Sequence, residues 1–268
     1  MFRSSALVAT LAIAAAAQVH AAPTTLTVGI YPSYPPLDVK DPATGKLGGF
    51  DVALEAALAK RMGVTFKLQE TSFSQFVTSV QTGRIDLFLN GMNDTAKRRE
   101  VISFVDYLQS GTQFMVSAKQ AGQYKVMTDL CGKTVAASRG TNAPNQIAEW
   151  SKAHCEAAGK PAIKVFGAEN SIDARRDVTE GRVDAMAQDS LTIPYIRSQA
   201  KGQFATVGAP FDNTVMGIGL GKDDTKLAQS LKTALQAMID DGSYAKLLAN
   251  HGLPATSAVA KATINQGQ

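Results

Sequence analysis

The sequence predicts an α/β protein of two similar lobes, each a mostly parallel sheet flanked by helices, joined by two hinge crossings. Three observations predict it. Two passages repeat, one starting at position 80 and one at 178, 98 residues apart: Val80-Gln81-Thr82-Gly83-Arg84-Ile85-Asp86-Leu87-Phe88-Leu89-Asn90 and Val178-Thr179-Glu180-Gly181-Arg182-Val183-Asp184-Ala185-Met186-Ala187-Gln188-Asp189. Each reads as a helix end, a Gly stop where a left-handed backbone is needed, a basic residue, and a short apolar strand. Strand and helix patterns also alternate along most of the chain, which implies parallel sheets. Finally, polar side chains close both repeated strands, and open α/β sheets take ligands at the carboxyl ends of their strands. Two facing lobes imply a cleft, and a cleft implies a small-molecule ligand.

Taken in order, residues 26–30 alternate like a strand. Residues 31–37 hold three prolines and read as an extended loop. Residues 41–45 are turn chemistry. Residues 50–62 form an amphipathic helix, with Val52, Leu54, Ala57, Leu58 and Met62 on its apolar side, and Gly63 stops it. A strand follows at 64–68. Phe73, Phe76, Val77 and Val80 have helical spacing up to Gly83, and 85–89 is the next strand. Residues 95–101 read as a short basic helix. Residues 111–116 are a connecting strand, and a second alternation then begins. It has strands at 134–137, 163–166 and 183–187 and helices at 145–158 and 173–179. Residues 216–220 return as a strand. Helices follow at 227–239 and 244–249, split by Asp241-Gly242-Ser243. The tail after Pro254 is small and polar and is expected to be loose. The expected lobes are 22–110 with 215–268, and 111–214.

The bulk numbers fit this plan. A chain of 268 residues, 45% apolar and 19% charged, is globular and long enough for two modest domains. Arg3, the apolar run 6–17 and Val19-His20-Ala21 read as a secretory signal over residues 1–21, cut after Ala21. The run is too short to span a bilayer. Net charge is +4, and losing Arg3 makes it +3. No basic run is interleaved with aromatics, which argues against nucleic acid. Cys131 and Cys155 are the only cysteines, and in an exported chain two cysteines most simply make one disulfide. No His/Cys/carboxylate cluster has ligand spacing, so no metal and no cofactor are expected.

Four places could carry chemistry. Asn90-Gly91-Met92-Asn93-Asp94-Thr95-Ala96-Lys97-Arg98 leaves a buried strand and opens a helix. Gly91 lets backbone approach a ligand, and Arg98 offers a fork that grips a carboxylate twice. Equally, Asp94 or Thr95 caps the helix and its basic residues face water. Ala137-Ser138-Arg139-Gly140-Thr141-Asn142 is either an anion-binding helix start or an ordinary turn. Asp189 either receives an ammonium or caps the next helix. Tyr31, Tyr34 and Phe73 are either stacking partners or ordinary aromatics. Read together, a guanidinium, an amide nest and a carboxylate suit a zwitterion.

These residues carry a resemblance. Gly29-Ile30-Tyr31-Pro32-Ser33-Tyr34-Pro35-Pro36, Gly45-Lys46-Leu47-Gly48-Gly49-Phe50-Asp51-Val52, Thr95-Ala96-Lys97-Arg98-Arg99 and Phe104-Val105-Asp106-Tyr107 are four of the matching stretches. Leu130-Cys131-Gly132-Lys133, Gly140-Thr141, Gly181-Arg182-Val183-Asp184, Gln188-Asp189 and Asp241-Gly242-Ser243-Tyr244 complete them. Over almost the whole mature chain the sequence resembles the family 3 extracellular solute-binding proteins, the type II amino-acid receptors of bacterial ABC importers. The resemblance implies a two-lobed type II periplasmic binding protein fold and a monomer in the periplasm. It implies a small-molecule amino acid as ligand and docking on a membrane permease, with no catalysis.

By the same resemblance, Arg98 pairs with the α-carboxylate, helped by N–H groups at Thr141 and Asn142. Asp189 pairs with the α-ammonium, with the Asn90 or Gly91 carbonyl and the Asn93 side chain assisting. Tyr34 and Phe73 stack on the ligand. The family often has an acid at Tyr31, Ser or Thr at Asn93 and an apolar residue at Asp94. Without the acid at Tyr31, a polar or uncharged side chain is expected rather than a cationic one. Asp94 either caps or faces the cleft, and Arg139 could attract an acidic side chain. The fold also carries cyclohexadienyl dehydratases, opine binders and sensory ligand-binding proteins, which are the alternatives.

Overall fold

The structure, a computed structural model, describes residues 24–267; the expected signal segment lies outside them. Its strands and helices follow from the chain in order. Strand β1 is Thr25–Ile30. A small antiparallel meander of β2 (Ser33–Tyr34), β3 (Asp38–Lys40) and β4 (Leu47–Gly48) begins in the proline-rich stretch and runs on past it. Then come α1 (Phe50–Met62), β5 (Thr65–Glu70), α2 (Phe76–Gln81), β6 (Leu87–Asn93), α3 (Ala96–Arg99) and β7 (Ile102–Ser117). The second alternation is β8 (Thr134–Ser138), α4 (Ala143–His154), β9 (Lys164–Ala168), α5 (Ser171–Thr179), β10 (Ala185–Asp189) and α6 (Ile193–Gln199). The chain closes with β11 (Phe204–Gly221), α7 (Thr225–Asp240), α8 (Ser243–Asn250) and β12 (Ala258–Ile264).

The sequence repeat is a structural repeat. Gly83 and Gly181 both have positive φ, 68° and 71°, as a helix stop requires. Arg84 N–H donates to Ser79 O and Arg182 N–H to Asp177 O, each at 2.9 Å. The aspartates two residues on act alike. Asp86 accepts from the Thr27 N–H at 2.6 Å, and Asp184 from the Thr134 N–H at 2.8 Å. Each lobe therefore pins its first strand to the strand after its second helix with the same Gly-Arg-x-Asp device.

The main sheet has the order β5-β1-β6-β11-β7-β10-β8-β9, with β12 also paired to β7. Pairings among β5, β1 and β6, and among β9, β8 and β10, are parallel; every pairing of β7 or β11 is antiparallel. Hydrogen bonding thus runs unbroken through both lobes, where the sequence suggested two separate sheets. The reason is that both hinge crossings are themselves strands. The expected short strands 111–116 and 216–220 are parts of β7 and β11, which pair along their length. Their register shifts between Val207 and Phe211 and between Phe211 and Thr214, which marks the bend.

Burial separates the halves that hydrogen bonding joins. One core holds Phe50, Leu54, Tyr107, Leu231, Leu235 and Tyr244; another holds Phe114, Val135, Ile147, Trp150 and Leu130. Cys131 and Cys155 are bridged at the edge of the second, 24 residues apart. A loop of that size is worth about 3 kcal/mol in the chain-entropy account. Replacing both cysteines with serine should lower stability by about that amount in denaturant titration. An unchanged midpoint would show that the bridge adds nothing.

Three further expectations change. The tail is not loose: β12 pairs with β7, because the side of β7 near Asp106 offers it unpaired backbone. The basic helix at 95–101 shrinks to the four residues of α3, since Ile102 already begins β7. The helix after β8 ends at His154, and Glu156–Ala158 tightens into a 3₁₀ turn around the disulfide. Helix α6 is foreshadowed in the sequence reading only as the helix that Asp189 could cap, with no range of its own. Among the described residues, no helix is long and apolar enough to cross a membrane.

Candidate functional site

A cavity of about 150 Å³ lies where the carboxyl ends of β1, β6, β8, β9 and β10 converge. Tyr31, Tyr34, Phe73, Gly91 and Asn93 line it from the first lobe, Thr141 and Asp189 from the second. Gly91 sits at φ +59°, and a Cβ there would come within 2.7 Å of the Tyr34 ring. The glycine therefore lets Tyr34 lie flat on the strand end.

Asp189 ends β10 and is the centre of the site. Tyr34 Oη donates to its Oδ2 across the cleft. Its Oδ1 accepts from the N–H groups of Leu191 and Thr192, each at 3.2 Å, and Thr192 Oγ1 lies 3.3 Å from Oδ2. All these donors are neutral. Burial raises the Asp189 carboxyl above the usual range, while Tyr34 and Thr192 pull it the other way. A carboxylate held from water with no cation among these partners is poised to receive one.

Arg98 does not line the cavity but stands directly behind its wall. Its Nη1 donates to Asn93 O at 2.8 Å and its Nη2 to Gly140 O at 3.0 Å. Both carbonyl owners line the cavity, one from each lobe. Burial lowers the guanidinium to about 10, opposed by Asp94, so it is charged at neutral pH. These two bonds use one hydrogen on each Nη, and the guanidinium carries five donors in all. Thr95, not Asp94, caps α3, accepting the Arg98 N–H at 3.3 Å.

Two expected residues turn away. Asn90 and Gly91 are neighbours on a strand, so they face opposite sides. Gly91 and Asn93 face the cavity, whereas Asn90 faces the core, accepts from Tyr31 N–H at 2.9 Å and donates to Asp38. Asn142 is the residue before α4 and does not line the cavity. Thr141 does, but its N–H donates to Ser138 O at 3.1 Å, so one of the two expected nest donors is taken up by its own turn. Asn93 Nδ2 donates to Thr214 Oγ1. Arg139 is a rim residue paired with Glu169, and Asp94 is buried away from the cleft.

Sequence reasoning missed, among others, Ser72, Ser74, Gln146, Glu169, Asn170 and Ser171, which also line the wall. The last three form the turn from β9 to α5. The rule that strand ends carry ligands applied to β9 as it did to β10 and could have found them.

Behind the wall lie three buried acids. Tyr107 Oη accepts from Gly91 N–H at 3.0 Å and donates to Asp51 at 2.9 Å. Asp38 sits beside Asp51, and neither Glu55 oxygen has a hydrogen-bond partner. Burial raises all three carboxyls, Asp51 to about 7. Acids raised in the fold stabilise it fully at acid pH, and the contribution fades as pH rises through their folded values. The protein should therefore melt a few degrees lower at about pH 8 than at about pH 5.5, and Glu55→Gln should flatten that slope. Calorimetric melting that shows stability rising over this window in both proteins would contradict the assignment.

The sequence matches the bacterial extracellular solute-binding proteins, family 3, over residues 26–253, and the chain belongs to that family. It is 32% identical to the arginine-binding protein ArgT of Corynebacterium glutamicum over 231 residues, 85% of this chain and 74% of that one. It is 29% identical to the histidine-binding periplasmic protein of Salmonella typhimurium, over 87% of this chain and 89% of that one. Its structure is similar to that of an ancestral amino acid-binding protein, a precursor of cyclohexadienyl dehydratase. There the TM-score is 0.73 at 30% identity, covering 84% of this chain and 94% of the other.

Proposed function

We propose that this protein is an exported, monomeric receptor that binds a free α-amino acid between its lobes and delivers it to the permease of an ABC importer. The observation that carries the reading is Asp189, a carboxylate at the cavity wall whose hydrogen-bond partners are all neutral. It takes the α-ammonium. Arg98, bridging Asn93 and Gly140, takes the α-carboxylate, and Tyr34 and Phe73 flank the ligand. The lobes divide at the hinge strands β7 and β11, and ligand contacts from both sides favour the shut form. The relatives named for arginine and histidine binding support an amino acid, and the histidine-binding periplasmic protein supports a periplasmic location.

The side-chain end of the cavity carries hydroxyl and amide groups from Ser72, Ser74, Asn170 and Ser171, which suit a polar uncharged side chain. A cationic side chain is the second reading, favoured by Glu169 at the wall. Its carboxylate is already paired with Arg139, which is why the uncharged reading comes first. The relatives are named as binding proteins, which supports binding rather than turnover.

A thermal-shift screen against the common amino acids and opines tests this. A specific ligand at a hundredfold excess over Kd stabilises by about 2.7 kcal/mol, roughly 5–10 °C for a chain of this size. Glutamine or asparagine leading the screen is expected; arginine leading it favours the second reading. No shift with any amino acid, or turnover of arogenate or prephenate, would overturn the proposal.

A further inference from the structure

Helix α3 carries Arg98 but has only four residues, too few to hold itself. Something outside it must fix the guanidinium. Asp94, just before the helix, is 1% exposed and is clamped from two sides. Its Oδ1 accepts from Arg99 Nη1 at 2.9 Å, and its Oδ2 accepts from Gly267 N–H at 2.8 Å. Gly267 fits so closely that a Cβ on it would stand 2.1 Å from Asp94 O.

The residues leading to Gly267 are tied down in turn. Asn265 exchanges two hydrogen bonds with the Phe104 backbone: its N–H donates to Phe104 O at 3.1 Å, and its Oδ1 accepts from Phe104 N–H at 2.8 Å. Asp106 accepts from Thr263 Oγ1 at 2.6 Å and from Gln266 N–H at 3.1 Å. Residues 263–267 thus lie across the start of β7 and end on the carboxylate that braces α3.

We infer that residues 263–267 are a strap that positions Arg98: they hold Asp94, Asp94 holds Arg99, and that pair sets the helix from which Arg98 reaches the cleft wall. Among the described residues, none of the strap's hydrogen bonds reaches a cavity residue. Its effect on affinity falls on the ligand carboxylate alone, so the inference rests on the carboxylate role proposed for Arg98. Asp94 is a positioning residue, which accounts for a buried acid at this place.

The test compares the wild type with a chain ending at Ile264 and with Asp94→Asn. Hydrogen exchange on the ligand-free proteins reads the strap directly: amides of residues 95–99 should exchange faster in both variants, with β8 unchanged. Calorimetry with L-glutamine, L-arginine and L-histidine, each against its α-carboxamide, reads the consequence. The preference for the carboxylate should fall about tenfold, equivalent to about 1.4 kcal/mol, while carboxamide affinity holds. Lys261→Ala, on the exposed side of β12, should change neither readout. Unaltered exchange in residues 95–99, or equal losses for amino acid and carboxamide, would overturn the strap. A wild type without carboxylate preference would instead overturn the role of Arg98 while exchange still judges the strap.

Discussion

Arg98→Ala should weaken amino-acid binding by roughly 30-fold to several thousandfold, the cost of about 2–5 kcal/mol for truncating one partner of a desolvated charge pair. The guanidinium hydrogen-bonds wall residues of both lobes, through Asn93 O and Gly140 O. Its loss leaves the ligand carboxylate without this charged donor. It also removes a bond between the lobes, so the shut form is favoured less. Lys97→Ala is the contrast: Lys97 is exposed on the same short helix, and its removal should do little. Equal calorimetric affinities for the two variants would show that Arg98 does not grip the ligand.

Asp189→Asn should cost a comparable factor. The amide oxygen can still accept from the Leu191 and Thr192 N–H groups, and the amide nitrogen can donate to Tyr34 in place of the present bond. The wall keeps its shape and loses its charge, so the loss reads the ammonium contact rather than unfolding. In the wild type the raised Asp189 carboxyl adds a pH signature. Affinity should begin to fall above the ordinary carboxylate range as the solution is acidified, because protonation removes the charge. An Asp189→Asn protein that binds normally, or wild-type binding unaffected by acid, would remove Asp189 from the site.

Most of the fold was legible because it is local. Gly83 and Gly181 stop helices where the chain pattern says they should, and Asp86 and Asp184 then repeat the same backbone contact. The hinge strands were less legible. Their length comes from pairing β7 with β11, residues about a hundred apart in sequence, and no local pattern encodes that. The tail failed for the same reason: its small polar residues matter only once Asp94 and Asp106 are beside them.

At the site, residue types were readable but directions were not. Asn90 and Asn93 look alike in the sequence, and strand alternation sends one into the core and the other to the cleft. Thr141 sits where a nest was expected, yet its N–H closes a turn. The β9–α5 turn was overlooked because Glu169, Asn170 and Ser171 form no motif of their own and join the wall only by their place at a strand end.

The most direct test of the zwitterion clamp is calorimetric titration of the wild type with its best-binding amino acid and with the des-amino analogue of that compound. The clamp predicts that removing the ammonium lowers affinity by roughly 30-fold or more, as truncating one partner of a buried pair does. Equal affinity for the two would contradict it.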